Sequence, residues 1–420
     1  MGIFRRRKIY ERSLRYDLCL AVVRHYIHKS FRYYECVGKE NIPDDGALIF
    51  ASNHCDALMD PLAVLAIDSS TKVFVARADI FSNPVAQKIL TFMKILPIHR
   101  MRDGLHNVIK TEDTIEKSIE VVEHSVRFCI FPEGRHRTKH SLLPFGKGLS
   151  RIAYGAYKKL GSSKPIYLVP VGCEYGDYFR YRSTLLLRIG KPVNLTKYIE
   201  ENSDNSENEI LQGIRAIATE AIRSEIVYVP DDKDYDAIWT LSKIGTGRIP
   251  YRMLRERFNA NRNAISKIVR YREKHPEAAG KLFDRALEFD RARRKAKISM
   301  DAFAYRKKEP HFAGLLASAA ALFPLFLVAA IVSLPSWGLA EILASRAKDK
   351  AFCNALRCAV LVLMWSFLLV LALIPAPFFV YDYFELIRRT ASAWRVRFAK
   401  KLKHEYETLY SVIDCLPDAD

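Results

Sequence analysis

Two residues early in the chain have types and spacing suited to proton transfer: His54 and Asp60. His54 follows an apolar run, Ala47-Leu48-Ile49-Phe50, that reads as a buried strand. Asp60 stands six positions later, directly before Pro61 and a helical run from Leu62 to Ile67. Asp before Pro predicts a helix start, with Asp60 as N-cap and Pro61 at the first helical position. The histidine then lies on a strand-to-helix turn, where side chains emerge from a sheet and can meet a substrate. A neutral imidazole is the natural base near pH 7. A carboxylate on its other nitrogen would fix the tautomer and stabilise the imidazolium. A plain helix cap beside a chance histidine accounts for this stretch equally well, so the rest of the chain decides.

The elements that would hold this turn alternate between strand and helix. Strands are expected at Phe31 to Val37, up to His54, and at Lys72 to Ala76, Ile95 to Ile98, Val126 to Phe131, Tyr167 to Val171 and Leu185 to Ile189. Helices are expected at residues 9 to 29, Pro84 to Met93, Thr111 to Glu123 and Gly148 to Leu160. Ser206-Glu207-Asn208-Glu209 is a capping box opening a helix to about Glu225. The alternation predicts an α/β fold with a mostly parallel central sheet flanked by helices. Ligands of such sheets gather outside the carboxyl ends of the strands. His54, Arg100 and Glu133 each follow an expected strand and so can line one crevice.

The chain has 420 residues, half of them hydrophobic, and a net charge of +19. The charge implies an anionic partner, and without a recognisable nucleic-acid motif it points to a membrane surface or a phosphorylated substrate. Eight scattered cysteines form no Cys-x-x-Cys pair and no zinc-spaced cluster, which reads as free thiols. Cys55 is read as a small turn residue. No metal site is expected, and the cluster Asp231, Asp232, Asp234 and Asp236 reads as a solvated turn.

Beyond Val229-Pro230, residues 232 to 300 read as helical hairpins turning at Lys274-His275-Pro276. The run Arg291 to Lys297 is either a solvated helix face or a contact with anionic head groups. Phe312 to Ala340 and Cys358 to Tyr381 carry no charge, and each is long enough to cross a hydrocarbon core of about 30 Å. Together they predict a C-terminal two-helix transmembrane hairpin. Its basic outer flanks, Arg291 to Lys308 and Arg388 to Lys403, place the α/β domain in the cytoplasm by the positive-inside rule. The expected divisions are an interfacial or packing helix (1–30), an α/β domain (31–228), an appended all-helical region (229–310), the hairpin (311–385) and a basic tail (386–420).

Four blocks now stand in order: Asn53-His54 with Asp60, Leu96-Pro97-Ile98-His99-Arg100, Phe131-Pro132-Glu133-Gly134-Arg135, and Val169-Pro170-Val171-Gly172. Over about residues 30 to 195 the chain resembles the glycerolipid acyltransferase family, the group of glycerol-3-phosphate and lysophosphatidic acid acyltransferases. It looks most similar to the bacterial PlsC-like branch. The resemblance implies acyl transfer from acyl-CoA or acyl carrier protein, as co-substrate rather than cofactor, to a hydroxyl of a phosphorylated glycerol. It implies His54 as general base, Asp60 as its partner, Arg100 on the acceptor phosphate, Glu133 and Gly134 at the acceptor, and Val169-Pro170 at the acyl donor or in strand packing. The chain departs from the family pattern twice. Five residues, rather than the commoner four, separate His54 from Asp60, which leaves Asp56 as an alternative. Lys94 stands where the second block usually begins with Gly.

The chemistry is consistent with these residue types. A thioester is already activated, so the enzyme need only take a proton from the attacking hydroxyl. Arg135 and Lys147 are further candidates for the acceptor phosphate, beside Arg102 and Arg137. The expected function is a 1-acyl-glycerol-3-phosphate acyltransferase in the bacterial inner membrane, forming phosphatidic acid. The alternatives are the first acylation, on glycerol-3-phosphate, and a non-catalytic membrane-anchored protein that binds lipid or a partner.

Overall fold

The structure, a computed structural model, describes residues 8–98, 105–230, 232–304, 311–367 and 375–417. The apolar runs become strands β1 (Tyr33–Val37), β2 (Ala47–Ser52), β3 (Lys72–Arg77), β4 (Ile95–Ile98), β5 (Arg127–Ile130), β6 (Ile166–Tyr175), β7 (Thr184–Ile189) and β8 (Val193–Asn194). They form one sheet in the order β1-β7-β6-β2-β5-β3-β4, with β8 against β6. β2 lies parallel between β5 and β6, and β3 lies parallel between β4 and β5. Every residue of β2 is buried, which is why it reads as an unbroken apolar run rather than an alternating one. β8 pairs antiparallel, so the sheet is mostly parallel, as the alternation predicts.

The helices of this part are α1 (Leu14–Ser30), α2 (Met59–Leu65), α3 (Pro84–Phe92), α4 (Leu105–Glu123), α5 (Gly148–Leu160), α6 (Leu195–Glu201) and α7 (Glu207–Ser224). α4 begins six residues before the expected Thr111. α6 has no counterpart in the sequence reading; its cap is Asn194, whose side chain accepts the N–H of Lys197. The capping box of α7 forms as predicted, with Ser206 and Glu209 bonded reciprocally. Ile115, Ile119 and Val122 of α4, Leu149 and Ile152 of α5 and Ile210, Ile214 and Ile222 of α7 share one core with Ile49, Phe128 and Leu168 of the strands. Full burial of each such side chain contributes about 1.5–3 kcal/mol.

The fourth sequence block lies inside this sheet. Pro170 occupies central strand β6, opposite Ala51. Val169 and Val171 on either side are fully buried. Gly172 is required by contact: a Cβ there would lie 1.9 Å from the carbonyl oxygen of Glu225. The block therefore lies in the middle of β6, packed among its buried neighbours.

The chain divides into two compact units, one of residues 1–28, 34–174 and 186–226, the other of 29–33, 175–185 and 227–420. In the second unit, α8 (Tyr235–Gly245), α9 (Leu254–Lys274), α10 (Pro276–Lys295) and α14 (Lys400–Asp414) pack on one another around Phe258, Phe283, Phe289, Tyr406 and Leu409. The turn at His275-Pro276 lies where predicted. Within the basic run after Leu287, Arg293 and Arg294 are both paired to Asp290. The short segments 29–33 and 175–185 join this unit through Asp382 of α13 (Ala376–Phe398), which accepts from Arg32 at 2.7 Å and Arg182 at 2.6 Å.

α11 (His311–Ser345) is, among the described residues, the one helix long and apolar enough to cross a membrane. Only 11% of its most apolar stretch is buried, unlike the core helix of a soluble domain. The second expected span is not one uninterrupted described helix. α12 (Cys353–Phe367) precedes residues 368–374, which lie outside the described residues, and α13 starts directly after Pro375.

Candidate active site

The turn after β2 is built from short polar contacts. Asn53 is buried, and its side chain reads the peptide of Cys173 on both sides: Oδ1 accepts the Cys173 N–H at 2.8 Å and Nδ2 donates to the Cys173 carbonyl at 3.1 Å. This extends the β2–β6 pairing by one step, past Ser52 opposite Val171. His54 emerges from that clamp.

Asp60 does not cap α2. The cap position is Leu58, and Asp60 lies in the first helical turn, with Pro61 one place further in. The reason is visible in its bonds. A single oxygen, Oδ2, accepts from His54 Nδ1 at 2.7 Å, from the Cys55 N–H at 2.7 Å and from the Asp56 N–H at 2.8 Å. The carboxylate folds back over the turn instead of onto the N–H groups of its own helix. An oxygen accepting two amide protons receives the imidazole proton as well, so Nδ1 carries hydrogen and Nε2 keeps its lone pair. His54 is 18% exposed in its side chain and Asp60 0%, so the imidazole is reachable and its carboxylate partner is not.

Asp56, the alternative partner, is buried, but its N–H donates to Asp60, and Asp60 is the residue on Nδ1. Asp60→Asn is expected to lower turnover by about 10²–10⁴, the range for losing a charged partner that orients a histidine base. Asp56→Asn is expected to cost less than tenfold, about 1.4 kcal/mol. Steady-state rates of the two variants, measured side by side, check the order; a larger loss at Asp56 would reverse the assignment.

Glu133 follows β5, and its two oxygens hold two backbone segments. Oε1 accepts the His54 N–H at 2.8 Å and Oε2 the Leu143 N–H at 2.8 Å. The carboxyl is thus engaged with the protein's own backbone, an arrangement the sequence reading did not foresee. Burial pushes it up to about 7, against the opposing pull of the Leu143 and His54 N–H bonds. Gly134 has φ of 66°, and a side chain there would meet nothing within 4 Å. The glycine serves a left-handed turn and leaves open space beside its α carbon.

Two neighbours of His54 were missed by sequence reasoning. The Phe131 ring stacks on the imidazole at 4.6 Å, and the His136 ring stands edge-on to it at 5.8 Å. Phe131 lies inside the third block, so its position was legible though its contact was not; His136 carried no signal. The Arg137 N–H donates to the His54 carbonyl at 2.8 Å, which draws the loop after Gly134 over the turn. The Gly146 N–H donates to the Pro132 carbonyl at 2.9 Å and closes that loop beside Glu133. Lys147 follows as N-cap of α5. Arg135 and Lys147 are both exposed. Arg100 and Arg102 lie outside the described residues. Cys55 is buried, its thiol is pushed well up by burial, and its sulfur accepts from Asn53; it is no thiolate nucleophile.

The His54–Asp60 pair, the clamp on its backbone and the exposed cations Arg135 and Lys147 fall inside a stretch with known relatives. The family model described as Acyltransferase matches residues 34–174. An uncharacterized acyltransferase of Schizosaccharomyces pombe is 28% identical over 104 residues, 24% of this chain and 15% of that protein. The chain thus matches a small part of that relative's length. The crystal structure of the 1-acyl-sn-glycerophosphate (LPA) acyltransferase PlsC from Thermotoga maritima superposes with a TM-score of 0.36 and 20% identity, over 49% of this chain and 78% of that one.

Proposed function

We propose that the chain, whose residues 34–174 match the Acyltransferase family model, is a membrane-bound glycerolipid acyltransferase. It moves an acyl group from a CoA or carrier-protein thioester to the free hydroxyl of 1-acyl-glycerol-3-phosphate. The observation that carries this reading is the bond of His54 Nδ1 to the buried Asp60 carboxylate, which leaves Nε2 as the base.

The acceptor hydroxyl donates to Nε2 and its oxygen attacks the thioester carbonyl. The new C–O bond forms as the hydroxyl proton passes to Nε2, and the negative charge collects on the former carbonyl oxygen. That tetrahedral species collapses with cleavage of the C–S bond. The thiolate leaves and takes the proton from the imidazolium, which restores the neutral base. Asp60 stabilises the cation between the two transfers. Arg100, with Arg135 and Lys147, holds the acceptor phosphate by charge-assisted bonds. Glu133 fixes the backbone that carries His54.

A lysophosphatidic acid acceptor suits a chain with an exposed apolar helix, since the acceptor's own acyl chain stays in the bilayer. The test is thiol release from palmitoyl-CoA by the reconstituted protein, with lysophosphatidic acid and glycerol-3-phosphate as separate acceptors. Release with the first alone supports the reading; release with the second alone moves the reaction to the first acylation. Release with neither, and with a carrier-protein donor also inert, would defeat the enzyme reading. Arg100→Ala is expected to raise the acceptor KM by about ten- to a hundredfold, the loss of one charge-assisted pair of about 1.5–3 kcal/mol. A raised donor KM with an unchanged acceptor KM would reassign Arg100.

A further inference from the structure

A helix on a protein surface normally carries polar side chains outward. Helix α1 does not. Tyr16, Leu20, Val23, Tyr26 and Ile27 face the core and are buried, yet Leu14, Leu18 and Val22, spaced by four, are 75%, 62% and 37% exposed on the other side. Helix α3 repeats the feature, with Val85, Ile89 and Phe92 exposed at 66%, 56% and 43%. The two helices are neighbours: Cys19 meets Met93, and the Tyr16 ring meets that of Phe92.

Lys94 fixes them together. It takes the position where the second block of the family usually has glycine, and it keeps the left-handed backbone a glycine would allow, with φ of 60°. A long side chain in that conformation is strained by about 1–2 kcal/mol. The ammonium donates to the carbonyls of Ile9 and Glu11, each at 2.6 Å, and lies over the Tyr16 ring. The chain thus tolerates strain at the end of α3 and gains a tie to the segment that enters α1.

We propose that α1 and α3, locked by Lys94, form one face of the acyltransferase domain that is immersed in the lipid surface. The occupant is a bilayer for two reasons. Arg15 and Lys88 are exposed beside the two apolar stripes, a placement that suits anionic head groups above and acyl chains below. The same chain also carries α11, which is long and apolar enough to cross a membrane. Exposed apolar patches mark interaction surfaces, and this one draws side chains from two neighbouring helices.

The inference rests on the membrane-bound part of the proposed function, and the experiment separates the two. The full chain is reconstituted in vesicles of phosphatidylcholine and phosphatidylglycerol. A photo-crosslinking benzoylphenylalanine replaces Leu18, Ile89, Ile331 of α11 or the exposed Glu220 of α7, one at a time. Lipid adducts at 18 and 89 are expected at least about tenfold above those at 220, as for side chains held in the acyl boundary. Adducts at 331 but not at 18 and 89 would overturn the inference and leave the membrane reading standing. Adducts at none of the three would overturn both. Crosslinks to a second copy of the chain at 18 or 89 would replace the bilayer with a dimer interface. Lys94→Met keeps the length and the strained backbone but removes the ammonium; the adduct at 18 is then expected to fall severalfold while that at 89 persists. Unchanged yields at both would overturn the lock.

Discussion

His54→Ala is expected to lower acyl transfer by about 10²–10⁴ or more, the contribution of a positioned general base, while the protein still inserts and folds. The folding half of this expectation follows from the contacts. The turn is held by Asn53 on Cys173 and by Asp60 on two backbone N–H groups, and neither needs the imidazole. What the ring does supply is Nε2, the one basic atom that the Asp60 bond leaves open at this turn. Thiol release by the variant, beside an unchanged unfolding midpoint, is the measurement. Turnover within tenfold of the natural chain would remove His54 from the role of base.

Glu133→Gln is the second large effect, and it combines rate and stability. An amide has only one oxygen, so its NH2 must face either the His54 or the Leu143 N–H. A buried donor left without an acceptor costs about 1–3 kcal/mol. Where the amide turns away from His54, the turn that carries the base loosens, and kcat is expected to fall about ten- to a hundredfold. The pH dependence has a definite sign. The folded carboxyl titrates at about 7, above the ordinary 4.5. The folded state therefore binds this proton more tightly than the unfolded chain. That contribution is fully present below pH 4.5 and is lost as pH rises through 7, a change of about 3 kcal/mol at 1.36 kcal/mol per pH unit. Glu133→Gln cannot titrate, so its denaturant midpoint is expected to lose this part of the slope between pH 5 and 8. An unchanged slope would show that Glu133 is not the group responsible.

The parallel sheet and most of its strands were legible in the sequence, because fully buried strands are unbroken apolar runs. The place of His54 after β2 followed from the same signal. The role of Asp60 at its helix did not. Asp before Pro is a fair sign of a cap, but here the carboxylate is drawn back to Cys55, Asp56 and His54, and the helix starts at Met59 without it. Local propensity gave way to a cluster of three donors. Glu133 was found by its block, yet its partners, the N–H groups of His54 and Leu143, depend on tertiary placement that no spacing reveals. Lys94 looked like a departure from pattern; its φ of 60° is a left-handed backbone that favours glycine, and its ammonium holds the Ile9 and Glu11 carbonyls.

The two contacts that frame His54 differ in reach. Asp60 is six residues away along the chain, whereas Glu133 is 79 and the Asn53–Cys173 clamp spans 120. The His54–Asp60 contact is local in sequence. Its frame exists only after β2 has accepted a parallel neighbour on each side, and pairings so distant in sequence are slow to assemble. On the proposed function, catalysis therefore requires β5 and β6 to have docked on β2. With β5 or β6 undocked, the contacts of Glu133 and Cys173 that frame His54 are absent, whatever the state of its bond to Asp60.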